Sequence, residues 1–154
     1  MRRLAAVIAL AFLAAAVPAA YADPEETDPD ASKRDEDYAA GKKAVEEKDW
    51  ARALERFKRA EVRNPENADL QNYIGYSHRN LKQYDQAFTH YKRAIALNPR
   101  HRGAHEYIGE AYLMVGDEAN ARKHLQALKE ICLLPCEELA DLERAVAAYG
   151  AKAR

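Results

Sequence analysis

The same pattern of residues returns every 34 positions along this chain, and no other property of the sequence constrains its fold as strongly. Five aligned columns carry the repeat: one of glycine, one of alanine, one of large apolar side chains, a second of mostly small residues, and one of proline. In order, they are Gly41, Gly75 and Gly109; Ala53, Ala87 and Ala121; Phe57, Tyr91 and Leu125; Ala60, Ala94 and Leu128; and Pro65 and Pro99, with Leu133 in the third copy. Periods of about 20–50 residues are typical of solenoids, in which similar units stack. The sequence therefore predicts three stacked units.

Each unit is predicted to contain two helices, A and B, joined by a short turn. The A helices are expected at residues 34–47, 68–81 and 102–115, and the B helices at residues 50–63, 84–97 and 118–131. Asp49 and Asp117 precede two of the B helices and are predicted to cap their free amide groups. The glycine column is expected where helix A lies close to the alanine column of helix B, since glycine is otherwise unfavourable inside a helix.

A 34-residue period with small, small, aromatic, small and proline columns resembles the tetratricopeptide repeat. The resemblance implies an all-α, right-handed superhelical solenoid of three helix-turn-helix repeats at residues 34–67, 68–101 and 102–134. Such repeats usually bind other proteins and perform no chemistry. The tryptophan that is usual at the fourth position of each repeat is absent, and Asp37, Gln71 and His105 stand there. The whole chain is also similar to small exported bacterial repeat proteins that end in Cys-Leu-Leu-Pro-Cys-Glu-Glu.

The last part of the chain, residues 135–150, is predicted to form a capping helix. Pro135 at the first helical position, followed by two glutamates, is a strong helix start. An apolar stripe at helical spacing would cover the last B helix, and other side chains would face water. The stripe consists of Cys136, Leu139, Leu142, Val146 and Tyr149, and the water-facing residues are Asp141, Glu143 and Arg144. If the stripe were exposed instead, this helix would be an interface for self-association or for a partner.

The first 22 residues are typical of a secretory signal peptide. Arg2 and Arg3 precede an uncharged run from Leu4 to Val17, and small residues lead to a predicted cleavage after Ala22. This run has 14 residues, and about 20 are needed to span a bilayer. Residues 23–33 are acidic, contain two prolines and predict a flexible leader. We expect an exported protein, periplasmic if the source is a Gram-negative bacterium, with no membrane insertion after cleavage.

The charge of the chain argues against nucleic acid as a partner. The full sequence has 24 basic and 25 acidic residues, and loss of Arg2 and Arg3 with the signal peptide leaves 22 against 25, a net charge of −3. A weakly acidic protein has no electrostatic basis for binding phosphate backbones. The sequence also contains no recognisable catalytic or phosphate-binding motif, so we expect no enzyme and no cofactor. A monomer is expected rather than an oligomer.

The resemblance places the A helices along the concave face, and there it implies a binding groove. Tyrosines interleaved with amides and charges suit a peptide, because rings supply apolar contact and amides pair with an extended backbone. The expected groove residues are Tyr38, Lys42, Asn72, Tyr76, Arg79, Asn80, Glu106, Glu110 and Met114. Replacing Arg79 and Asn80 by alanine is expected to weaken partner binding without loss of helicity. Whether Tyr73 and Tyr107 face the groove or pack between A helices stays open.

One subfamily of these repeats grips a C-terminal carboxylate with lysine, asparagine and arginine. The columns that carry this clamp hold Tyr38, Lys42, Tyr73, Gly103 and Tyr107 in the present chain. Only Lys42 is cationic, so recognition of chaperone tails of that type is not expected.

Two side-chain pairs offer sites outside the groove. Cys132 and Cys136 are expected to form a disulfide in an oxidising compartment, with redox chemistry or Cu(I) binding as the alternatives. His101 and His105 have a spacing that occurs in zinc sites, but His101 is expected in a loop and no third ligand is near, so we expect surface histidines. The sequence as a whole predicts an exported adaptor that binds a protein or peptide partner. The alternative is a copper- or thiol-handling accessory protein that uses Cys132 and Cys136.

Overall fold

The computed structural model describes residues 35–152, and all of its regular structure is helical. The predicted signal peptide and acidic leader lie outside the described residues. The seven described helices are α1 (Glu36–Glu46), α2 (Trp50–Arg63), α3 (Ala68–Asn80), α4 (Tyr84–Leu97), α5 (Arg102–Met114), α6 (Glu118–Ile131) and α7 (Glu137–Lys152). Successive helices pack on one another, and α7 packs on both α5 and α6. The predicted all-α solenoid of three helix pairs and a C-terminal helix is confirmed. Within these residues, no helix is both long and apolar enough to cross a bilayer.

Several helices start at a short polar side chain that satisfies free backbone amides. The Asp49 carboxylate accepts a hydrogen bond from the Arg52 amide at 3.1 Å, and that of Asp117 accepts one from Asn120 at 3.0 Å, so both predicted caps are confirmed. The residue before each cap column has a left-handed backbone: φ is 56° at Lys48, 60° at Lys82 and 84° at Gly116. Only the third copy places glycine there, the residue that adopts this conformation without strain.

Two helices begin later than the sequence predicts, each because of the residue before its first turn. Asp35 caps α1 by accepting hydrogen bonds from the amides of Asp37 and Tyr38, so this helix begins at Glu36 and not at residue 34. At α7, the Cys136 carbonyl accepts the first helical hydrogen bond, from the Ala140 amide at 3.3 Å. The helix therefore begins at Glu137. Pro135 lies in the connection and not at the first helical position, which corrects the prediction for this helix.

The column that lacks tryptophan forms a polar pair between the two helices of each repeat. Its partner lies 19 residues further on, and the chemistry differs in each copy. Arg56 donates to Asp37 at 3.1 Å in the first, His90 Nδ1 and Gln71 Oε1 are 2.7 Å apart in the second, and the Nδ1 atoms of His105 and His124 are 3.0 Å apart in the third. Burial lowers the pKa of His124 to about 4, so this last pair is neutral at pH 7. A polar contact thus replaces an aromatic one at the same position in the repeat.

The glycine column lies against large side chains and not only against alanine. A Cβ added to Gly41 would lie 2.5 Å from Cε1 of Phe57, and one added to Gly75 would lie 2.7 Å from Cδ1 of Tyr91. The prediction that helix A approaches helix B closely is correct here, but the rings fill the contact. In the third repeat, a Cβ on Gly109 would meet Cδ2 of Leu142 at 2.7 Å, so that glycine makes room for α7.

Replacing Gly75 by alanine is expected to destabilise the fold, and the same change at Gly150 is expected to stabilise it. At Gly75 the methyl group would also lie 3.2 Å from the carbonyl oxygen of Ala87, and Tyr91 is fully buried and cannot give way. Overpacking costs about 1–3 kcal/mol, against a helix-propensity gain of about 0.5–1 kcal/mol, so we expect a net loss of about 1–2 kcal/mol. At Gly150, a Cβ meets no atom within 4 Å, and only the gain remains. Urea unfolding of both variants measures the two effects, and equal stabilisation of both would contradict the close contact.

The C-terminal helix covers more of the solenoid than the sequence predicts. Leu142 and Val146 are buried in one cluster with residues of α5 and α6, and Leu139 and Tyr149 pack against it. The apolar stripe is therefore buried as expected, which removes the condition for an interface on this face. The helix was expected to cover the last B helix alone, but Leu142 reaches Gly109 on α5 as well. This second contact places the first turns of α7 beside the A helices.

Candidate functional site

A cavity of about 500 Å³ lies on the side of the solenoid that the A helices form. Residues of α1, α3 and α5, with the start of α7, build its walls. Its lining consists of Tyr38, Lys42, Asp69, Asn72, Tyr73, His101, Gly103, Glu106, Tyr107, Glu137, Glu138 and Asp141. We call this cavity the acidic groove, because five of these twelve residues are carboxylates.

Three tyrosines, one from each A helix, form the aromatic part of the acidic groove. The Tyr38 and Tyr73 rings meet edge to face with centroids 5.9 Å apart, and Tyr73 stacks on Phe57 at 5.3 Å. Tyr107 contacts Tyr76 at 4.8 Å. Tyr73 and Tyr107 thus do both things that the sequence left open: they pack between neighbouring helices, and they line the groove.

The charged residues of the acidic groove are strongly unbalanced. Its five carboxylates face one lysine, Lys42, and one imidazole, that of His101. Three of the carboxylates have basic neighbours: Asp69 Oδ1 lies 3.0 Å from His101 Nε2, Glu138 Oε1 lies 3.5 Å from Arg102 Nε, and Asp141 forms an ion pair with Arg144. His101 also caps α5, because its Nδ1 accepts a hydrogen bond from the Ala104 amide at 3.1 Å. The groove therefore presents a negative surface to whatever enters it.

Glu106 is the most deeply placed of these carboxylates. It is 8% exposed, and within residues 35–152 it makes no hydrogen bond and no ion pair. Burial, and then the negative charges of Glu110, Asp141 and Glu138, raise the pKa of Glu106 to about 8, while Arg79 acts in the opposite direction. A large part of Glu106 is therefore protonated at neutral pH.

Asn72 places a second polar group without a partner in the lining. The residue is 5% exposed, and its Oδ1 accepts no hydrogen bond. Its Nδ2 lies beside Gly103, where an added Cβ would be 3.3 Å away. Buried polar atoms nearly always find partners, and the free energy of leaving one without a partner is about 1–3 kcal/mol. An unpaired acceptor in a groove wall is a position where a ligand donor would be favourable.

Arg79 holds the A helices together and is not an exposed groove residue. It is 7% exposed, forms an ion pair with Glu110, and donates to the Tyr107 carbonyl oxygen at 3.4 Å. Its guanidinium lies 5.0 Å from the centroid of the Tyr76 ring and 5.1 Å from that of Tyr107. Asn80, its neighbour, donates to the Tyr76 carbonyl oxygen at 2.8 Å. Alanine at both positions would therefore remove internal contacts, and the double variant is a poor probe of the groove.

The expected groove residues fall into separate places. Tyr38, Lys42, Asn72 and Glu106 line the acidic groove. Glu110 and the exposed Met114 line a smaller cavity of about 300 Å³ between α5 and α7. Its other lining residues are Leu113, Ala145, Ala148, Tyr149 and Lys152. Tyr76, Arg79 and Asn80 line neither cavity, and Tyr76 and Arg79 instead contact Tyr107 on the next A helix.

Sequence reasoning missed the contribution of α7 to the acidic groove. Glu137, Glu138 and Asp141 line it, although Asp141 was expected to face water and the glutamates were interpreted only as a helix start. Asp141 lies four positions after Glu137 and three after Glu138, so the three carboxylates share one side of a helix. That spacing was visible in the sequence. What it could not show is that α7 packs against α5.

The two cysteines are bonded to each other at the corner between α6 and α7. The Cys132–Cys136 disulfide joins Cα atoms 6.1 Å apart, and the chain has no free cysteine. Copper or thiol chemistry needs free thiolates, which this pair does not offer in its bonded form. The two histidines of the zinc hypothesis have separate partners, because His105 bonds to His124 and Pro99 while His101 caps α5. The expectation of surface histidines is wrong for His105, which is 6% exposed between α5 and α6. Within residues 35–152, no three metal-ligating side chains cluster.

Comparison with known proteins agrees with this architecture. The profile of the tetratricopeptide repeat matches residues 38–99 and 75–132, which together span more than half of the chain. The chain belongs to the tetratricopeptide repeat family. Its three copies with a capping helix are therefore tetratricopeptide repeats, with the tryptophan column replaced by polar pairs. None of the curated protein sequences compared with this chain matches it.

Several solved tetratricopeptide structures are similar in fold. The TPR2B domain of yeast Sti1, solved in a complex with pHsp70, has a TM-score of 0.70 and 18% identity, and the match covers 79% of this chain and 97% of that one. The Yersinia enterocolitica type III secretion chaperone SycD, in complex with a peptide of the translocator YopD, has a TM-score of 0.69 and 18% identity, with 79% and 95% covered. The second TPR domain of human RPAP3, in complex with the HSP70 peptide SGPTIEEVD, has a TM-score of 0.65 and 18% identity, and the match covers 77% of this chain and 98% of that one.

Proposed function

We propose that this protein is an interaction adaptor that binds a peptide segment of a partner protein in the acidic groove. The observation that carries the proposal is the cavity of about 500 Å³ to which all three A helices and α7 contribute side chains. Its size lies within the usual range of about 300–1,000 Å³ for ligand sites. Its mixture of rings, an amide and charged groups suits a peptide chain better than an apolar small molecule.

The similar structures support this proposal. Sti1, SycD and RPAP3 were each solved with a protein or peptide partner, and a fold like that of the present chain holds each of them. In this proposal the chain acts by binding and performs no reaction. We further propose that it needs no cofactor and works as a monomer.

We also propose that the protein is exported, and periplasmic if its source is a Gram-negative bacterium. The disulfide supports an oxidising compartment, because cytosolic proteins of this size rarely keep one. After cleavage of the signal peptide, the chain would remain outside the bilayer.

A substitution that fills the acidic groove is expected to abolish partner binding. Gly103 lines the groove at the start of α5, so Gly103→Trp places a large side chain in the cavity. Gly150→Trp is the matched control, because a Cβ at that position meets no atom within 4 Å and lies outside the groove. The measurement is affinity capture from an envelope extract of the native source, followed by direct titration of the recovered partner.

We expect the recovered partner to bind the unmodified protein and the Gly150→Trp control with similar affinity. Its affinity for the Gly103→Trp protein is expected to be at least tenfold lower. Circular dichroism of all three proteins checks that the fold is retained. Equal affinity for all three would place the binding surface elsewhere and refute the proposed site.

A further inference from the structure

We propose that the acidic groove recognises a basic side chain, the guanidinium or ammonium group of an arginine or lysine in the bound peptide. This inference rests on the proposed function, because it names the chemistry of the peptide that the same cavity would hold. Three independent properties of the lining support it: its charge, its unpaired hydrogen-bond acceptors and its aromatic rings.

The charge of the lining favours a cation over any other ligand. Asp69, Glu106, Glu137, Glu138 and Asp141 surround the cavity. Lys42 is exposed at the α1 side, and His101 already lies 3.0 Å from Asp69. A cleft with one sign of charge and low-dielectric walls concentrates ligands of the opposite sign. An acidic or C-terminal carboxylate ligand would meet repulsion from most of the ionisable acid and base side chains in the lining.

Asn72 Oδ1 is an unpaired acceptor in the lining, and the Glu106 carboxyl becomes a second acceptor when it loses its proton, so a ligand that donates suits both. Asn72 is only 5% exposed, and its Oδ1 accepts no hydrogen bond. Glu106 has a buried carboxylate without a hydrogen bond or an ion pair among residues 35–152. Lysine offers three donors and arginine five, and neither has an acceptor. A basic side chain would satisfy both groups and would also stabilise the ionised form of Glu106.

The rings of the acidic groove provide the remaining surface for such a side chain. Tyr38, Tyr73 and Tyr107 line the same cavity as the carboxylates. Cations are attracted to the faces of aromatic rings, and the aliphatic part of arginine or lysine packs well on them. The fold already contains this arrangement once, since the Arg79 guanidinium lies near Tyr76 and Tyr107 and pairs with Glu110.

The similar RPAP3 domain shows how the chemistry differs. The peptide in its complex, SGPTIEEVD, contains three acidic residues and no lysine or arginine. The acidic groove of the present chain has the opposite charge from the one that such a peptide requires. The fold is therefore shared with RPAP3, and the ligand chemistry is expected to be reversed.

The experiment selects binders from a phage-displayed library of random dodecapeptides and then tests each selected peptide on variants of the purified full chain. A peptide is assigned to the acidic groove if it loses at least tenfold in affinity with Gly103→Trp and less than twofold with Gly150→Trp. The charge variant is Glu106→Gln with Asp141→Asn, within the groove. The matched control is Asp85→Asn with Glu130→Gln, which makes the same two kinds of substitution at exposed positions on α4 and α6.

We expect groove-assigned peptides to share an arginine or lysine and to lose at least tenfold in affinity with the charge variant, but less than twofold with its control. Replacing the shared arginine by citrulline, its neutral analogue, should cost at least tenfold. Groove-assigned peptides that lack basic residues, or that tolerate the charge variant, would overturn this inference and leave the proposed function intact. If no selected peptide is sensitive to Gly103→Trp, both proposals fail.

Discussion

Replacing Leu142 by alanine is expected to lower the free energy of unfolding by about 3 kcal/mol, within the range for buried leucines. Leu142 is fully buried in the cluster that joins α7 to α5 and α6. Its methyl groups fill the space that Gly109 leaves open, so no neighbouring side chain can readily occupy the resulting cavity. Urea unfolding followed by circular dichroism measures the change.

Leu134→Ala is the matched control for this prediction. Leu134 is 79% exposed in the connection between α6 and α7, and its truncation is expected to change the free energy by less than about 0.5 kcal/mol. A loss below about 1 kcal/mol for Leu142→Ala would show that α7 contributes little to the solenoid, and would contradict the packing described here.

The same variant has a consequence for the acidic groove. Glu137, Glu138 and Asp141 lie on the helix that Leu142 anchors, and they supply three of the five carboxylates of the groove. Loosening α7 would move these charges away from Glu106. The stability of the fold and the charge of the acidic groove are therefore coupled through Leu142.

Replacing Glu106 by glutamine is expected to stabilise the protein at pH 9 and to change its stability by less than about 1 kcal/mol at pH 5. The pKa of Glu106 is raised to about 8 in the folded protein from a reference value of 4.5, by burial first and then by its acidic neighbours. Between pH 4.5 and about pH 8, Glu106 is therefore protonated in the folded state and ionised in the unfolded state. Stability is full below pH 4.5 and declines as the pH rises, by up to about 1.4 kcal/mol per pH unit until pH 8.

Glutamine keeps the shape and the neutral charge of the protonated carboxyl, so it removes this loss. At pH 9 we expect the Glu106→Gln protein to be more stable by a few kcal/mol, on the order that the shifted pKa implies. The groups that face Glu106 are Glu110 on its own helix, Glu138 and Asp141 on α7, and Arg79 on α3. Melting temperatures at pH 5, 7 and 9 measure the effect, with the exposed Glu130→Gln as control. If the melting temperatures of Glu106→Gln and the unmodified protein differed by the same amount at all three pH values, this prediction would be wrong.

Most of the helical framework could be predicted from the sequence, because the signals for it are local. Trp50–Arg63, Tyr84–Leu97 and Glu118–Ile131 are helical as expected, and Pro65 and Pro99 act within one turn to end the first two. The Asp49 and Asp117 caps belong to the same class. The start of α7 was wrong by two residues, because Pro135 is a good first helical residue but lies inside the Cys132–Cys136 loop.

The candidate site could be predicted only in part. The repeat assigned Tyr38, Lys42, Asn72 and Glu106 to the concave side, and all four line one cavity. It also assigned Arg79, whose long side chain turns inward to Glu110 and two tyrosine rings. A periodic pattern gives the side of a helix on which a residue lies, but not the direction of a flexible side chain that has a partner 31 residues away.

The sequence by itself determined the family, the helix order and the helix caps, since each depends on residues that recur at a fixed spacing or that lie within a few positions of one another. The tertiary structure alone decided the charge of the groove. Three of its carboxylates come from α7, which lies outside the repeat, and Leu142 seated on Gly109 brings them beside Glu106. Burial and long-range charge, which set the chemistry of that site, act between residues that are distant in the chain and become neighbours only when the last helix packs.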